Sequence, residues 1–355
     1  MVIVVAERRG EGAFKKVMGG LSKPIVIYLV NKIFMFFLVY ILALLVVFLL
    51  PRYIPANPFA MLLMRIISQY IWTPELIPEV YRNVLSYFAI DKPVYEQFLI
   101  FLKGALVGDF GVSISMFPRK VIDVIMMALP WTIALMVPST IVSWIIGNII
   151  GAYAGYKRGS TTEKVVVGYS FVVSYIPQYW LAMLLLFAFA FGVRLFPPFG
   201  GVSAGVVPSL SLEFIVDYLW HYTLPFLSIV VISVARWMGS MRFIVSGELG
   251  SDYIAFSDSL GVKDSTVFKY AFRNSLLPQV TGLALSLGAA IAGQALVEAV
   301  FSYPGLGYFL QQAIGSIDYP LIQGIFVIMI ATTYLANFLV DFIYMLIDPR
   351  IRVGG

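Results

Sequence analysis

Five stretches of the chain are apolar over a length that fits a bilayer: 33–50, 129–153, 165–193, 279–300 and 321–340. None contains Lys, Arg or Asp, and their only Glu is Glu298, near one end. A spanning helix takes about 20 such residues, because backbone polar groups away from water must be satisfied within the helix itself. A sixth run starts near Tyr222 and is apolar to Ala235; Arg236 interrupts it before residues 237–245 continue, with Arg236 and Arg242 able to snorkel. The pattern therefore predicts an all-α integral membrane protein of about six transmembrane helices. Residues 98–107 are apolar apart from Lys103 but too short to span, which predicts an interfacial helix, or else a re-entrant one.

Charge orients these spans. Lys and Arg number six in residues 1–32, three in 154–164, five in 236–278 and two after Ile347. The alternate segments hold seven (51–128), one (194–221) and none (301–320), and the long first loop is discounted by the positive-inside rule. Both termini are thus expected in the cytosol. Residues 1–32 read as a cytosolic tail, because the short apolar stretch 2–6 precedes Glu7, Arg8 and Arg9 and no small-residue cleavage site follows. The membrane domain is expected over 33–347, with an outer loop at 51–128, a cytosolic loop at 246–278 and a tail at 348–355.

Composition agrees with a membrane protein: 60% of residues are hydrophobic and 12% charged, against roughly 45–50% and 25% in soluble domains. There is no Cys and one His, His221, at a predicted outer boundary where its ring would be partly hydrated. Thiolate metal sites, Cys nucleophiles and His-paired mechanisms have little to work with. The net charge of +5 is dispersed and forms no stripe for nucleic acid. No phosphate-binding loop occurs; Gly19-Gly20-Leu21-Ser22-Lys23 matches only a fragment of one. No catalytic function, cofactor or metal is expected in this chain. The spans also lack the mid-membrane ionisable groups that proton-coupled carriers use.

Residues 252–261 read as a short helix, with Ser251 or Asp252 accepting from a first-turn amide and Gly261 in the left-handed position that ends it. Tyr253, Phe256 and Leu260 lie along one apolar edge. A second short helix starts at Asp264 or Ser265, with Val267, Tyr270, Ala271 and Asn274 on one face, and Pro278 introduces the fifth span. The spacing fits packing against the protein's own helices and binding of a partner equally.

The run Asp252-Tyr253-Ile254-Ala255, Leu260-Gly261 and Ala271-Phe272-Arg273-Asn274-Ser275-Leu276-Leu277-Pro278 resembles the cytosolic loop of ABC-importer permeases of the dipeptide/oligopeptide/nickel family. Further matches follow in order: Gly108-Asp109-Phe110-Gly111, then Phe301-Ser302-Tyr303-Pro304-Gly305-Leu306-Gly307, Asp318-Tyr319-Pro320 and Asp348-Pro349-Arg350-Ile351-Arg352. The long first outer loop resembles the B-type subunit. The resemblance implies a type I importer permease fold and a coupling loop, here Asp252, Tyr253, Ala255, Phe256, Ser257, Leu260, Gly261, Arg273 and Asn274, seated in an ATPase groove. It also implies a heterodimer with a second permease subunit, two ATPase subunits that hold ATP and Mg, and an extracytoplasmic solute-binding protein. Di- or oligopeptides are the expected cargo, with oligosaccharide or nickel as alternatives. The family's glutamate-alanine-alanine signature falls on Ala255, Phe256 and Ser257, so its acidic residue is absent and Ala255 has no ionic role.

A stand-alone channel or secondary carrier, a membrane-embedded enzyme and a scaffold are the competing classes; co-purification with nucleotide-binding subunits and ATP-dependent uptake separate them. Asn148, Gln178, Ser286 and Gln294 are polar within spans, as helix-to-helix hydrogen bonds or as pore-lining groups. Pro138, Pro177 and Pro225 are expected to kink their helices, and Pro304-Gly305 favours a type II turn in 301–307.

Overall fold

The computed structural model describes residues 23–53, 58–69, 77–293 and 295–347. Gln294, residues 1–22 and the closing segment 348–355 lie outside them. The described chain is helical: α1 (Lys23–Leu49) with a 3-10 turn at Leu50–Tyr53, α2 (Pro58–Gln69), α3 (Ile77–Tyr87), α4 (Val94–Val107), α5 (Val121–Tyr156), α6 (Thr161–Ser174) and α7 (Gln178–Leu185). The last of these runs on as a π-helix over Leu186–Gly192. Then come α8 (Leu212–Glu248), α9 (Asp252–Ser259), α10 (Asp264–Gly293), α11 (Ala295–Val300), α12 (Leu306–Gly315) and α13 (Tyr319–Ile347).

Among the described residues, α5 and α8 are long and apolar enough to cross a membrane, and α6 with α7 makes a third crossing if the bent pair is one span. At 36 and 37 residues, α5 and α8 extend to about 54–56 Å, well beyond the roughly 30 Å of a hydrocarbon core. Helix α5 begins at Val121, inside the expected outer loop, and α8 begins at Leu212, ten residues before the expected start near Tyr222.

The expected single span 165–193 is broken: α6 and α7 meet at 94°. Pro177 causes the break, since it offers no N–H and excludes its predecessor from helical geometry; it sits at the start of α7 with φ −62° and ψ 134°. Pro138, by contrast, is absorbed within continuous α5, where the Ser139 and Thr140 hydroxyls donate to the Leu135 (2.6 Å) and Met136 (2.8 Å) carbonyls. Pro225 is likewise internal to α8. Pro278 does not start a span either, for α10 runs through it from Asp264, so the expected second short helix is the first part of a long one.

The most extensive helix contact joins α5 to α8. Gly147, Gly151 and Gly155 present one face of α5 to it: a Cβ on Gly151 would lie 2.5 Å from the Met238 carbonyl oxygen, and one on Gly155 2.8 Å from that of Arg242. Small residues at a spacing of four let two backbones approach where lipid supplies no hydrophobic drive of its own. One core joins Leu44, Val121, Ile125, Leu306, Leu321 and Ile325; a second joins Leu135, Met136, Leu224, Val297 and Tyr303.

The segment 301–307 does not form the expected type II turn, which requires positive φ at Gly305; the observed value is −88°. Gly305 instead starts α12, against the Glu298 carboxylate, which fills the place of a Gly305 Cβ. Buried Glu298 accepts from the Gly307 amide (2.6 Å), while Thr132 accepts from Leu306 N (2.8 Å). Tyr303, fully buried, donates to the Tyr218 hydroxyl and meets Trp131 edge-on. Nearby, buried Asp318 accepts from the Ser113 and Ser115 hydroxyls and the Ser115 amide, tying the Gly108–Gly111 region to the start of α13.

Candidate functional site

The loop at 246–278, expected in the cytosol, forms a two-helix corner. Ser251 has the extended backbone of a helix start (φ −82°, ψ 151°), yet no side chain caps α9. The Ser251 hydroxyl donates backwards to the Glu248 carbonyl (2.6 Å), which removes the expected cap. The stop behaves as expected: Gly261 takes φ +71°, its amide donates to Asp258 O (3.0 Å) and that of Val262 to Ser257 O (3.1 Å). This is the Schellman arrangement, in which a left-handed residue closes the last carbonyls of a helix.

What fixes the corner is a residue absent from the expected apolar edge. Ile254 is buried against Val267 and Ala271 of α10. Tyr156, at the end of α5, donates to the Asp264 carbonyl (3.0 Å) and packs edge-on against Phe268 (5.1 Å). The expected face of the second helix therefore divides, with Val267 and Ala271 turned inward and Tyr270 and Asn274 exposed. Tyr253 is held by donation to Glu248 Oε2 (2.6 Å) and by a bond from Asn274 Nδ2 (2.9 Å). Burial, then the Glu248 carboxylate, raises the Tyr253 phenol above its ordinary value.

With Ile254 facing inward, the edge Tyr253, Phe256 and Leu260 faces outward; Phe256 and Leu260 are 64% and 65% exposed. Beside it lies an open groove of about 630 Å³ lined by Tyr253, Phe256, Ser257, Arg273 and Asn274, together with Tyr270 and Leu277. The structure thus brings together five of the nine expected coupling residues. Asp252, Ala255, Leu260 and Gly261 lie outside the groove wall, the first three exposed on the same short helix and its end. Tyr270 and Leu277 are additions, legible as the i and i+7 positions of one stripe through Arg273 and Asn274.

A further tie, between α6 and α8, escaped the sequence. Arg242 does not snorkel but pairs with Glu163 through Nε (2.9 Å) and Nη2, and the Gly159 amide donates to the same carboxylate. The Gly159 bond and Arg242 hold the Glu163 carboxyl below its ordinary value. His221 also departs from expectation: its ring is buried, with Nδ1 2.9 Å from the Asp217 carbonyl oxygen.

Three of the four polar residues expected within spans are described, and they lie on α5, α7 and α10. Asn148 is buried and donates to the Trp144 carbonyl (2.7 Å), Gln178 donates to Ser233 (3.3 Å), and Ser286 is half-buried on α10. Gln279 does more than any of them: its side chain donates to Ser240 (2.8 Å) and its carbonyl accepts from Trp144 (3.0 Å), linking α10, α8 and α5. Among the described residues there is no group of three or more His, Cys, Asp or Glu placed to hold a metal.

Long apolar helices and a braced loop presenting an open groove have the make-up of a membrane subunit that docks a partner. The chain belongs to the family described as binding-protein-dependent transport system inner membrane component, which its residues 147–353 match. It is 31% identical over 276 residues to the oligopeptide transport system permease protein AppB of Bacillus subtilis, covering 76% of this chain and 84% of that one. The dipeptide transport system permease protein DppB of Escherichia coli is 31% identical over 293 residues, covering 78% and 86%. The di/tripeptide permease DppB of Pseudomonas aeruginosa is 27% identical over 322 residues, covering 87% and 93%. The protein is a multi-pass membrane permease of the ABC-importer class.

Proposed function

We propose that the chain forms half of the pore of an ATP-driven importer of di- or oligopeptides and receives its driving force through the corner at 252–261. In this reading six spans cross the plasma membrane with both termini in the cytosol. The pore is completed by a second, related permease; two ATPase subunits bind below, and a solute-binding protein delivers peptide from outside. The oligopeptide, dipeptide and di/tripeptide cargoes of the relatives support peptides over oligosaccharide or nickel.

One observation carries the coupling assignment: the apolar edge of α9 and its groove are open while the inner face of the same helix is locked onto α10 and α5. A helix free on one side and rigidly held on the other transmits force, because packed surfaces shift between discrete arrangements instead of deforming smoothly. ATPase closure against Phe256 and the groove would move α10, and through Gln279 and Tyr156 the helices α8 and α5, as a unit. ATP and Mg belong to the partners in this scheme, and this chain contributes shape.

Phe256→Asp tests it, since a carboxylate placed in an apolar contact loses both the area and the fit. The expected result is membrane insertion as in wild type, with loss of ATPase co-purification and of ATP-dependent peptide uptake in reconstituted vesicles. Normal uptake by that variant would remove α9 from the coupling path.

A further inference from the structure

We propose that the crevice between the outer end of α1 and helix α4 is a binding site for an anionic phospholipid, its phosphate set between Arg52, Lys103 and Lys120. The inference requires the chain to lie in a membrane and is independent of what the importer carries.

The crevice has a volume of about 660 Å³ and divides by chemistry. Phe48, Ile100, Phe101 and Val107 supply an apolar wall, while Arg52, Lys103 and Lys120 supply three cations against one acid, Asp109. Asp109 already accepts from the Gly111 amide (3.1 Å). Among the described residues no carboxylate stands within ion-pair distance of the three cations.

Arg52 is the decisive group. It directly follows the apolar run of α1 and Pro51, at the end of the first expected span. Its guanidinium is half-buried, donates to the Phe48 carbonyl (2.6 Å) and Gln97 Oε1 (2.7 Å), and rests 3.5 Å from the centre of the Phe48 ring. All these partners are neutral, so among the described residues the half-buried head is held in place with no carboxylate paired to it. A cation drawn partly out of water gains from an opposite charge brought beside it. Burial draws its pKa down to about 10, which still leaves it cationic at neutral pH.

The neighbouring helix decides between a lipid and a soluble anion. At 14 residues, α4 is about 21 Å long and cannot cross the bilayer. Apart from Lys103, its exposed surface is nevertheless largely apolar, with Leu99, Ile100, Leu106 and Val107 between 46% and 72% exposed. Such a helix lies in the interface with its side chains among acyl chains. A ligand filling a crevice with this floor and this rim needs a phosphate at one end and hydrocarbon at the other.

The test is native mass spectrometry of the purified importer complex after exchange into equal amounts of phosphatidylglycerol and phosphatidylcholine, with glycerol phosphate as a separate soluble arm. Wild type should retain phosphatidylglycerol selectively, and Lys103→Ala/Lys120→Ala should lower that retention about 30-fold, from roughly one interfacial cation's worth each. Arg82→Ala, an exposed cation on α3 away from the crevice, should behave as wild type. Equal retention of the two lipids, or an unchanged double variant, would overturn the site. Equal occupancy by glycerol phosphate would make it a soluble-anion site. A double variant that keeps its lipid but loses affinity for the solute-binding protein would make it a protein contact, which also overturns the proposal. Lost peptide uptake with lipid selectivity intact would count against the transport reading alone.

Discussion

Adding one methyl group at Gly151 tests the close approach of α5 and α8. In an ordinary helix Gly→Ala gains about 1 kcal/mol from backbone entropy. At Gly151 the new Cβ would sit 2.5 Å from the Met238 carbonyl oxygen and 3.0 Å from Met241 Cβ, so α8 must retreat by most of an ångström before an ordinary contact returns. Both obstacles are backbone or backbone-anchored, which prevents relief by side-chain rotation. Overpacking of this kind costs about 1–3 kcal/mol, and the penalty exceeds the entropic gain. Gly151→Ala is therefore expected to destabilise by about 1 kcal/mol. Gly168→Ala on α6, where a Cβ would meet nothing within 4 Å, is expected to stabilise by up to about 1 kcal/mol. The assay is unfolding of the purified permease in mixed micelles. Adding Gly155→Ala to Gly151→Ala should cost less than the sum, since one separation of the helices relieves both contacts. If Gly151→Ala and Gly168→Ala shifted stability in the same direction by the same amount, the glycine seam would be wrong.

Two further outcomes concern the 252–261 corner and the Glu163–Arg242 pair. Gly261→Val forces a β-branched residue to φ +71°, a strain of about 1–3 kcal/mol confined to the corner; ATPase co-purification should fall while insertion is unchanged, and wild-type assembly would refute the stop. Glu163, held below its ordinary 4.5 by Gly159 and Arg242, adds stability that is complete above that value and lost as pH falls through the lower folded one. Thermal midpoints of wild type should drop on acidification below about pH 4.5, Glu163→Gln should lose that part of the slope, and identical pH profiles would show that the pair contributes nothing.

Local signals were the most legible in the sequence. Gly261 was recoverable because one residue type is favoured at positive φ, and the bounds of α9 followed from it. The apolar runs located the long helices, but an apolar run carries no information about direction, so Pro177, where the chain breaks by 94°, looked no different from Pro138 and Pro225, which lie within continuous helices. The difference lies in what surrounds each proline: hydroxyls donating back to carbonyls one turn away at Pro138, and none placed to do so at Pro177. Ser251 misled because its hydroxyl has two acceptable uses, and the nearby Glu248 carbonyl took it. The turn at 301–307 depended on Glu298 occupying the space beside Gly305, a long-range fact no local turn rule contains. The spacing of Gly147, Gly151 and Gly155 was visible in the sequence, and only the opposing helix gives it meaning. The groove was half legible: its α9 wall follows from the apolar edge, whereas Tyr270 and Leu277 join it because Ile254 turns the two helices toward each other.

The absence of Cys from the chain makes the central claim directly measurable. Leu260→Cys, 65% exposed at the end of α9, can be joined by a short thiol cross-linker in membranes containing the assembled importer. The account expects a single adduct with the ATPase subunit whose yield changes on ATP binding. An adduct with the solute-binding protein, or no protein adduct in an assembled and transporting complex, would contradict it.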